Sequence, residues 1–401
     1  MERADVFISG GGIAGLATAG ALADLGLSVV LADPAPPQKT GATPDTTPGA
    51  DLRSTAYLQP AKALFERAGL WDDLAPFATP LETLQVVDTT GQPPEVTATR
   101  AFDSSDLSDA PFGWNIPNWR ARAVLTAAMG DRVDMRLGVG FKSILTRDSE
   151  ARVTLTDGTK VAARLVLAAD GRNSPVRTAL GLGVRTTRYG QTALAFCVTH
   201  DIAHHNVSTE VYNSGGAFTL VPLGDIGQRP ASAVVWMNAA RDAQAIANLP
   251  EADFNARATE RSTGVLGVLT RVGGMGHWPV ITQTARALTA PRVALMAEAA
   301  HVMPPIGAQG LNTSLQDVTA LIDALGADPG DPGAPAVLQA FDTARRRDIT
   351  LRAGAIDLFN RVCQSGAPSV QALRSAGLKL VHDVAPLRRA VMTAGLGRQP
   401  Q

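Results

Sequence analysis

Three stretches that contain glycine hold the residues with which this 401-residue chain could do chemistry. They cover residues 10–15, residues 170–171 and residues 297–312. Glycine has no Cβ, so its backbone can approach a phosphate closely and can adopt the turns that such an approach needs. The three stretches therefore indicate a bound nucleotide that is held by parts of the chain far apart in sequence.

The first stretch matches the G-x-G-x-x-G pattern of dinucleotide-binding turns, and its residues are Gly10, Gly12, Ile13, Ala14 and Gly15. Apolar residues 5–9 predict a buried parallel strand before the turn, and residues 13–25 predict a helix after it. A second buried strand over residues 28–32 ends at Asp33, whose carboxylate is placed to hold an adenosine ribose. The pattern predicts a βαβ unit in which the helix amino end faces a pyrophosphate.

The other two stretches extend this prediction beyond a single dinucleotide. Residues 170–171 follow a predicted buried strand over 164–168, and residues 297–312 follow another over 292–296. A domain that binds only NAD needs neither of them. Two further glycine turns at strand ends predict a cofactor with a second end, and we expect FAD.

The order of these motifs resembles that of the group A flavin aromatic hydroxylases, the p-hydroxybenzoate hydroxylase superfamily. Residues 170–177 are similar to that family's DG motif, and residues 53–58 to the segment whose arginine, here Arg53, contacts the flavin. Arg122 resembles the arginine of the next motif, and Arg120 is an equal choice. The tail resembles that of the ubiquinone-biosynthesis hydroxylases, and the likeness covers nearly the whole chain.

The resemblance implies a reaction chamber and a set of cofactor contacts. Pro305, Gly307 and Gln309 would wall the chamber, with Pro305 also beside the flavin ring. The amide groups of Gly310, Leu311 and Asn312 would face the pyrimidine end of the flavin, at the start of a helix that we expect to begin near Thr313. The contacts predicted by pattern or by resemblance are Gly10, Gly12, Ile13, Ala14, Gly15, Asp33, Arg53, Arg122, Asp170, Gly171, Glu298, Pro305, Gly310, Leu311 and Asn312.

The chain departs from the family at one pair of residues. Family members usually begin the third stretch with Gly-Asp, whose carboxylate holds a ribityl hydroxyl, whereas this chain has Ala297-Glu298. Glu298 keeps the negative charge on a longer side chain, and Ala297 adds a Cβ. We expect the segment to shift slightly and to keep the contact.

The predicted fold class is α/β, with a Rossmann-like FAD-binding domain of the p-hydroxybenzoate hydroxylase type. A mostly antiparallel β substrate domain is inserted into it, and a helical C-terminal tail follows. The assigned segments are 1–72, 114–182 and 287–330 for FAD binding, 73–113 and 183–286 for the substrate domain, and 331–401 for the tail. Residues 57–70 predict a helix, and the five prolines of residues 34–50 predict an exposed, mobile loop.

Charge and composition exclude several other functions. A formal net charge of -1 argues against nucleic acid as a partner, because phosphate binding needs a basic excess. No cysteine accompanies His200, His204 and His205, so we predict a solvated loop there and no metal site. His301 invites a role as a base, and a structural histidine beside the cofactor is the favoured interpretation. With no secretory signal and no apolar run of ~18 residues, we expect a cytoplasmic protein.

The tail allows two interpretations. Residues 370–397 intersperse leucines and valines with Arg374, Lys379, Arg388 and Arg389. Such a basic amphipathic segment suits a peripheral position at the inner face of an anionic membrane surface, where a polyprenylated phenol resides. Packing of the same helices on the protein's own core is the alternative.

The function implied by the resemblance is hydroxylation of a polyprenylated phenol in ubiquinone biosynthesis, through a flavin C4a-hydroperoxide that the protein shields from water. NAD(P)H would be the electron donor and dioxygen the co-substrate, and other quinone-biosynthesis enzymes are candidate partners. Two alternatives stay open: a soluble hydroxylase of the same fold for a small phenolic substrate, and a non-catalytic FAD-bound member of a quinone-biosynthesis assembly. A flavin reductase or halogenase would share the fold, but no added lysine motif of the halogenase type is present.

Overall fold

The computed structural model describes residues 1–36, 51, 53–326 and 329–397. The loop predicted over residues 34–50 falls almost entirely outside the described residues. The strands, in chain order, are β1 (Glu2–Ser9), β2 (Val29–Asp33), β3 (Ser54–Leu58), β4 (Thr79–Leu81), β5 (Thr83–Thr90), β6 (Glu95–Asp103), β7 (Gly113–Pro117), β8 (Asp134–Leu137), β9 (Phe141–Thr146), β10 (Ala151–Leu155), β11 (Lys160–Ala168), β12 (Val184–Thr199), β13 (Val207–Asn213), β14 (Gly216–Ile226), β15 (Arg229–Ala239), β16 (Thr270–Ala285), β17 (Thr289–Ala290), β18 (Val293–Leu295) and β19 (His301–Val302).

The helices alternate with these strands in the first half of the chain and follow one another at its end. They are α1 (Ile13–Asp24), α2 (Gln59–Arg67), α3 (Trp71–Leu74), α4 (Asn118–Met129), α5 (Pro175–Ala179), α6 (Ala240–Ala247), α7 (Glu251–Arg261), α8 (Gln309–Leu325), α9 (Pro335–Gln364), α10 (Pro368–Asp383) and α11 (Ala385–Leu396). The tail is therefore helical, as predicted. In the described part of the chain, none of these helices combines the length and the apolar character that crossing a bilayer requires.

The first sheet, which we call the nucleotide-binding sheet, has the strand order β17-β18-β11-β1-β2-β8. The five strands from β18 to β8 run parallel, and Phe7 of the central strand β1 is fully buried. β10 and β11 form an antiparallel hairpin. Because parallel strands end at the same edge of a sheet, β1, β2 and β11 bring Gly10, Asp33 and Asp170 to one edge.

The second sheet, which we call the substrate sheet, has the strand order β19-β16-β12-β15-β14-β13-β5-β6. Its pairs are antiparallel except for β13 with β5. One face packs Phe196, Phe218 and Trp236 against Phe254 of α7. The short strand β19 joins this sheet from within the segment assigned to the FAD-binding domain, and the domain limits stay a prediction.

One predicted helix begins later than expected. Tyr57 and Leu58 belong to β3, which pairs with β7, and α2 begins at Gln59. Tyr57 is fully buried opposite Trp114, so tertiary pairing outweighs the helical pattern of the segment at these two positions. β3, β7 and β4 form a small third sheet at the side of the cavity described below.

Candidate functional site

A cavity of about 2040 Å³ is lined by residues from all three glycine-bearing stretches. Ligand pockets commonly enclose roughly 300–1,000 Å³, so this cavity has room for a large cofactor and a second molecule. Arg53, Gly171 and Gly310 all line it, although they lie far apart in the chain. The convergence expected from the sequence is therefore present.

The first glycine turn is fixed by close packing of the backbone. A Cβ on Gly15 would lie 2.0 Å from the carbonyl oxygen of Gly10, and a Cβ on Gly10 would lie 2.3 Å from that of Ala169. Gly10 also has a φ of +112°, which favours glycine. A Cβ on Gly12 would meet no atom within 4 Å, because Gly12 faces the cavity.

The amino end of α1 opens onto the same space. Gly12 precedes the helix and offers no side chain to cap it, so the first amide N–H groups have no partner in the helix. Ile13, Ala14 and Gly15 form the first turn and line the cavity. Unpaired N–H groups and the helix dipole together make this end a site for an anionic group such as a pyrophosphate.

Asp33 and Arg122 hold the first glycine turn through hydrogen bonds to the backbone of Gly11. Oδ2 of Asp33 accepts a hydrogen bond from the Gly11 amide over 2.5 Å, and Oδ1 lies 3.4 Å from Nη2 of Arg122. Nε of Arg122 also donates to the Gly11 carbonyl over 2.9 Å. Arg120 instead stacks on Trp119, with 4.3 Å from Cζ to the ring centroid, so Arg122 is the arginine of this site. The ribose contact predicted for Asp33 stays a prediction.

In the second glycine turn, the carboxylate of Asp170 accepts hydrogen bonds from other protein groups. Asp170 accepts hydrogen bonds from the Ser9 hydroxyl over 3.3 Å and from the Val176 amide over 3.2 Å. Burial raises the pKa of Asp170 above its ordinary value, although these hydrogen bonds lower it in part. The side chain thus joins the end of β1 to the start of α5, and the neighbouring Ala169 and Gly171 line the cavity.

Arg53 lies at the cavity wall, where it is surrounded by Asp51, Trp278 and Glu298. Its Nε and Nη2 donate to Asp51 over 2.8 and 2.7 Å, and its Cζ lies 5.0 Å from the ring centroid of Trp278. Burial alone would raise the pKa of Asp51, but its hydrogen bonds to Arg53 and Asn118 lower it overall. Arg53 is therefore held rigidly, with Nη1 turned toward Glu298.

Glu298 lines the cavity, and among the residues that the structure describes it makes no short ion pair. Its carboxylate oxygens lie 3.9 Å from Nη1 of Arg53 and 3.9 Å from Nε of Arg172, and the side chain is 39% exposed. Contacts of that length at a partly exposed site contribute little stability, so the carboxylate is available to a ligand. Ala297 before it has a φ of +52°, the left-handed conformation that glycine would adopt more easily.

The helix after the third stretch begins four residues earlier than predicted. α8 starts at Gln309 rather than near Thr313, and Ala308 precedes it with a φ of +55°. The side chain of Asn312 accepts the Leu58 amide over 2.9 Å and also donates to the carbonyls of Ala56 and Ala308. These tertiary bonds explain why residues with low helix propensity lie in the first turn. Gly310 and Leu311 line the cavity there, and Asn312 holds the turn to β3.

The predicted chamber walls connect the loop to the tail. Pro305, Gly307 and Gln309 all line the cavity. Nε2 of Gln309 donates to the Gly395 carbonyl over 2.8 Å, and Oε1 accepts from Arg352 over 2.9 Å. Gln309 therefore fixes the loop against α9 and α11, a role that was not predicted.

His301 belongs to a buried chain of polar groups. Its Nε2 lies 2.7 Å from Oδ2 of Asp317, and Oδ1 of Asp317 accepts from Nε of Arg345 over 2.7 Å. Oδ2 also accepts the Ala297 amide over 2.8 Å, so Asp317 ties the loop of the third stretch to α8 and α9. This arrangement fits the structural role favoured for His301, and the sequence alone did not indicate Asp317.

The tail packs on the protein's own body. Arg374 of α10 is buried and donates to Asp88 of β5 over 2.7 Å, although the sequence placed it among the basic residues of an amphipathic surface. Phe359, Leu378 and Met392 line the cavity from α9, α10 and α11. The three last helices therefore form one wall of the cavity.

Strand alternation decides which side chains of the substrate sheet reach the cavity. Thr219 and Val221 of β14 line it, whereas Phe218 points to the opposite face and packs on Trp236. On β13 the lining residues include Glu210 and Tyr212. Sequence reasoning missed these two, and a polar residue at every second position of the strand was the available signal.

The histidine-rich segment is not a simple solvated loop. His200 is fully buried and its Nε2 lies 3.0 Å from the Ser232 hydroxyl, while Nε2 of His204 lies 2.9 Å from the Leu223 carbonyl. The prediction of a solvated loop is therefore wrong for His200. Over the residues that the structure describes, no group of three or more His, Cys, Asp or Glu side chains could hold a metal ion.

Comparison with known proteins decides which cofactor this cavity takes. The family model described as FAD binding domain matches residues 3–351 of the chain. The chain belongs to this FAD-binding family. The predicted family resemblance and FAD as the cofactor are thereby confirmed.

Two curated relatives match almost the whole FAD-binding chain. The ubiquinone hydroxylase UbiL of Rhodospirillum rubrum is 33% identical over 98% of this chain and 90% of its own length. The 3-demethoxyubiquinol 3-hydroxylase of Escherichia coli is 26% identical and covers 99% of each chain. Both alignments extend through the tail helices, beyond the residues that the family model matches.

Solved structures share the fold at lower identity. The p-nitrophenol 4-monooxygenase PnpA from Pseudomonas putida superposes with a TM-score of 0.80 at 21% identity, with 100% of both chains covered. The flavin-dependent monooxygenase PieE, solved with FAD and substrate, has a TM-score of 0.71 at 20% identity over 98% of this chain and 72% of its own. The predicted α/β fold class is confirmed.

The residues present fit FAD. Gly12 leaves open space where any side chain would enter the cavity, and the free amino end of α1 lies beside it. Elsewhere on the cavity wall, Glu298 offers a carboxylate and the first turn of α8 offers unpaired amide groups. FAD carries an anionic diphosphate and sugar hydroxyls, so a cavity with amide donors at two helix starts and a carboxylate acceptor suits its chemistry.

Proposed function

We propose that the protein is an FAD-dependent monooxygenase that hydroxylates the aromatic ring of a polyprenylated phenol in ubiquinone biosynthesis. The observation that carries the proposal is a single cavity that joins the FAD-holding turns to an apolar space under the substrate sheet and the tail helices. The names of the curated relatives, a ubiquinone hydroxylase and a 3-demethoxyubiquinol 3-hydroxylase, support this substrate class.

When bound, FAD would accept two electrons from NAD(P)H and would then activate dioxygen. The chain's own residues bind and orient it. Gly12, Ile13 and Ala14 would hold the diphosphate at the amino end of α1, and Arg53 and Glu298 would hold the ribityl region. The amide groups of Gly310, Leu311 and Asn312 would receive the pyrimidine end of the flavin, where the helix amino terminus would stabilise negative charge.

The chain must also exclude water from the reaction chamber. Pro305 and Gly307 wall the chamber on the side of the cofactor, and Gln309 ties that wall to Arg352 and Gly395 of the tail. A closed apolar chamber keeps water from reactive intermediates. The tail helices therefore take part in the reaction by closing the cavity.

The apolar part of the cavity suits a prenyl chain. Its walls come from the substrate sheet on one side and from the tail helices on the other. The apolar side chains that line it include Val86, Phe102, Val221 and Val235 of the sheet and Phe359, Leu378, Val381 and Met392 of the tail. An apolar chain gains about 0.8 kcal/mol for each CH₂ group that leaves water. A small acidic phenol would leave most of this surface without a partner.

The outer side of the tail suits a membrane surface as the source of such a substrate. Leu373 and Leu380 are 67% and 57% exposed and lie seven residues apart on α10, so they share one helix face. Val391 of α11 and Leu351 of α9 are also exposed, and Leu351, Leu373 and Val391 reach the rim of the cavity. Exposed apolar residues at the rim would let a prenyl chain pass from lipid to cavity.

Turnover by the purified FAD-loaded protein tests the function. With NADH or NADPH and a short-chain polyprenylated phenol in mild detergent, we expect a product with one added oxygen atom that derives from labelled dioxygen. 4-Hydroxybenzoate, a small acidic phenol, should be a poor substrate. Faster turnover of 4-hydroxybenzoate would favour the soluble hydroxylase, and no reduction of the bound flavin by either donor would favour the non-catalytic role.

A further inference from the structure

Two polar side chains of β13 lie on the cavity wall. Glu210 and Tyr212 share one face of the substrate sheet, because side chains two residues apart in a strand point to the same side. Both are buried, at 8% and 1% exposure, and the Tyr212 hydroxyl donates a short hydrogen bond to Oε2 of Glu210. Burying a carboxyl group in an apolar wall costs free energy, and hydrogen bonds such as the one from Tyr212 offset part of that cost.

The charged and titratable groups around this pair come from three other elements. Cζ of Arg374 in α10 lies 6.0 Å from the ring centroid of Tyr212. Asp88 of β5 already pairs with Arg374 over 2.7 Å, and Cys363 of α9 lies close enough to Glu210 and Tyr212 to interact electrostatically. None of these groups gives Glu210 a cation of its own.

Glu210 also reaches the loop that we expect beside the flavin ring. The backbone N–H of Gly307 lies close enough to its carboxylate to favour the ionised form. Thr219 and Val221 of the neighbouring strand flank it on the cavity wall. The carboxylate therefore lies where the substrate part of the cavity meets the cofactor part.

The environment of Glu210 changes its strength as a base. Burial raises the pKa of Glu210, although the hydrogen bond from Tyr212 and the nearby N–H of Gly307 lower it in part. An ordinary glutamate, with a pKa of about 4.3, is a weak base toward a phenol, whose pKa is about 10. The raised pKa narrows this gap, which is what an efficient proton acceptor requires.

We propose that Glu210 is the base that removes the proton of the substrate's phenolic hydroxyl, and that Tyr212 positions its carboxylate. The phenol O–H bond breaks, the oxygen keeps the electron pair, and the proton moves to Glu210, which becomes a neutral acid. The proton passes to water when the product leaves. The phenolate carries more electron density on its ring than the phenol does, so the ring is easier to oxidise. The inference rests on the proposed function for its substrate class.

Binding of a chromophoric phenol to the oxidised, FAD-loaded protein tests the transfer without turnover. The probe is 4-nitrophenol with one prenyl group, at a pH about one unit below the pKa of the free probe and with no electron donor. We expect the visible phenolate band of the bound probe, together with a new infrared band of a protonated carboxyl group. Glu210→Gln should abolish both bands. Glu260→Gln, a matched change at an exposed carboxylate on α7, should leave both unchanged.

Kinetics give a second measurement. Glu210→Gln should lower kcat by about 10²–10⁴-fold with little change in KM, and a more acidic fluorinated phenol should recover part of the loss. Tyr212→Phe removes a hydrogen bond that lowers the pKa of Glu210, so the acid limb of its pH–rate profile should move to higher pH. An equal loss with every phenol and an unmoved acid limb would show a merely structural role and overturn the proposal.

The two experiments separate this inference from the proposed function. If the unsubstituted protein binds the probe as a phenolate but hydroxylates no prenylated phenol, the proposed function fails and Glu210 remains a base. If prenylated phenols are hydroxylated and Glu210→Gln keeps full kcat or a full phenolate band, only the inference fails. A bound probe that stays neutral in the unsubstituted protein would also overturn it.

Discussion

Arg374 of α10 donates through Nε to Oδ1 of Asp88 in β5 over 2.7 Å, and both side chains are buried. Nη2 of Arg374 also reaches the Thr89 carbonyl at 3.3 Å. The pair joins the tail to β5, the strand next to the edge of the substrate sheet, 286 residues earlier in the chain. Because the tail helices wall the cavity, this ion pair holds that wall in place.

Asp88→Asn should loosen the tail. The substitution leaves the Arg374 charge buried without a counter-charge, which costs about 3–5 kcal/mol. We expect a lower free energy of unfolding in urea and faster amide hydrogen exchange in α10 and α11 than elsewhere. Asp323→Asn breaks an exposed pair with Arg67 and should cost less than about 1 kcal/mol. Equal effects of the two substitutions would contradict the role of the buried pair.

Gly12 and Gly15 should respond differently to alanine. A Cβ on Gly12 enters only the cavity, so Gly12→Ala should fold with an unchanged Tm of the apoprotein and bind FAD at least about tenfold more weakly. A Cβ on Gly15 lies 2.0 Å from the Gly10 carbonyl, so Gly15→Ala should lower the Tm of the apoprotein itself. Thermal unfolding and FAD titration of both variants check this. If Gly12→Ala bound FAD as tightly as the unsubstituted protein, the diphosphate could not lie against this turn.

Asp317 should govern stability at acid pH. Burial alone would raise its pKa, but His301 and Arg345 lower it below the ordinary value of about 3.9. Its ionised form therefore stabilises the fold above the unfolded pKa, and this contribution is lost as the pH falls below about 4 toward the lowered pKa. Asp317→Asn should cost about 3–5 kcal/mol near neutral pH, and less in acid. Asp342→Asn, at an exposed pair with Arg346, is the control for urea unfolding at both pH values.

Ala297→Gly should stabilise the protein. Ala297 has a φ of +52°, which costs an L-residue roughly 1–2 kcal/mol and costs glycine almost nothing. After the greater entropy of glycine in the unfolded chain is subtracted, we expect a gain of about 0.5–1 kcal/mol in the free energy of unfolding. Ala300→Gly, at a φ of -92°, should instead destabilise by about as much. A loss of stability in Ala297→Gly would contradict the strain at this position.

Leu373→Ser with Leu380→Ser should weaken membrane attachment. The two exposed leucines lie on one face of α10, and their removal takes apolar surface from the proposed contact with lipid. We expect flotation with phosphatidylglycerol-rich vesicles to fall several-fold at an unchanged Tm. Leu145→Ser changes an equally exposed leucine on β9 and should float like the unsubstituted protein. Equal flotation of all variants would place the contact elsewhere.

The cofactor-binding part of the site was the most predictable from the sequence. The glycine turns at residues 10–15 and 170–171 stand at strand ends, and local geometry dictates what such turns can hold. The start of α8 was predicted four residues late, since the bonds from Asn312 to Leu58 and Ala56 override the local propensity. Glu210 and Arg374 line the cavity, and Asp317 is buried beside the loop of the third stretch. These three were not marked as parts of a site, because their burial depends on segments distant in the chain.

The sequence by itself determined the βαβ unit, the glycine turn that opens onto the cavity and the helical nature of the tail, because these follow from hydrophobic periodicity and glycine spacing. Only the tertiary structure decided that the tail folds back to wall the cavity, that Arg374 is buried and that Glu210 faces the cavity. The reason is that burial and charge pairing arise between distant segments, and a strand's facing direction is fixed only when its sheet is assembled.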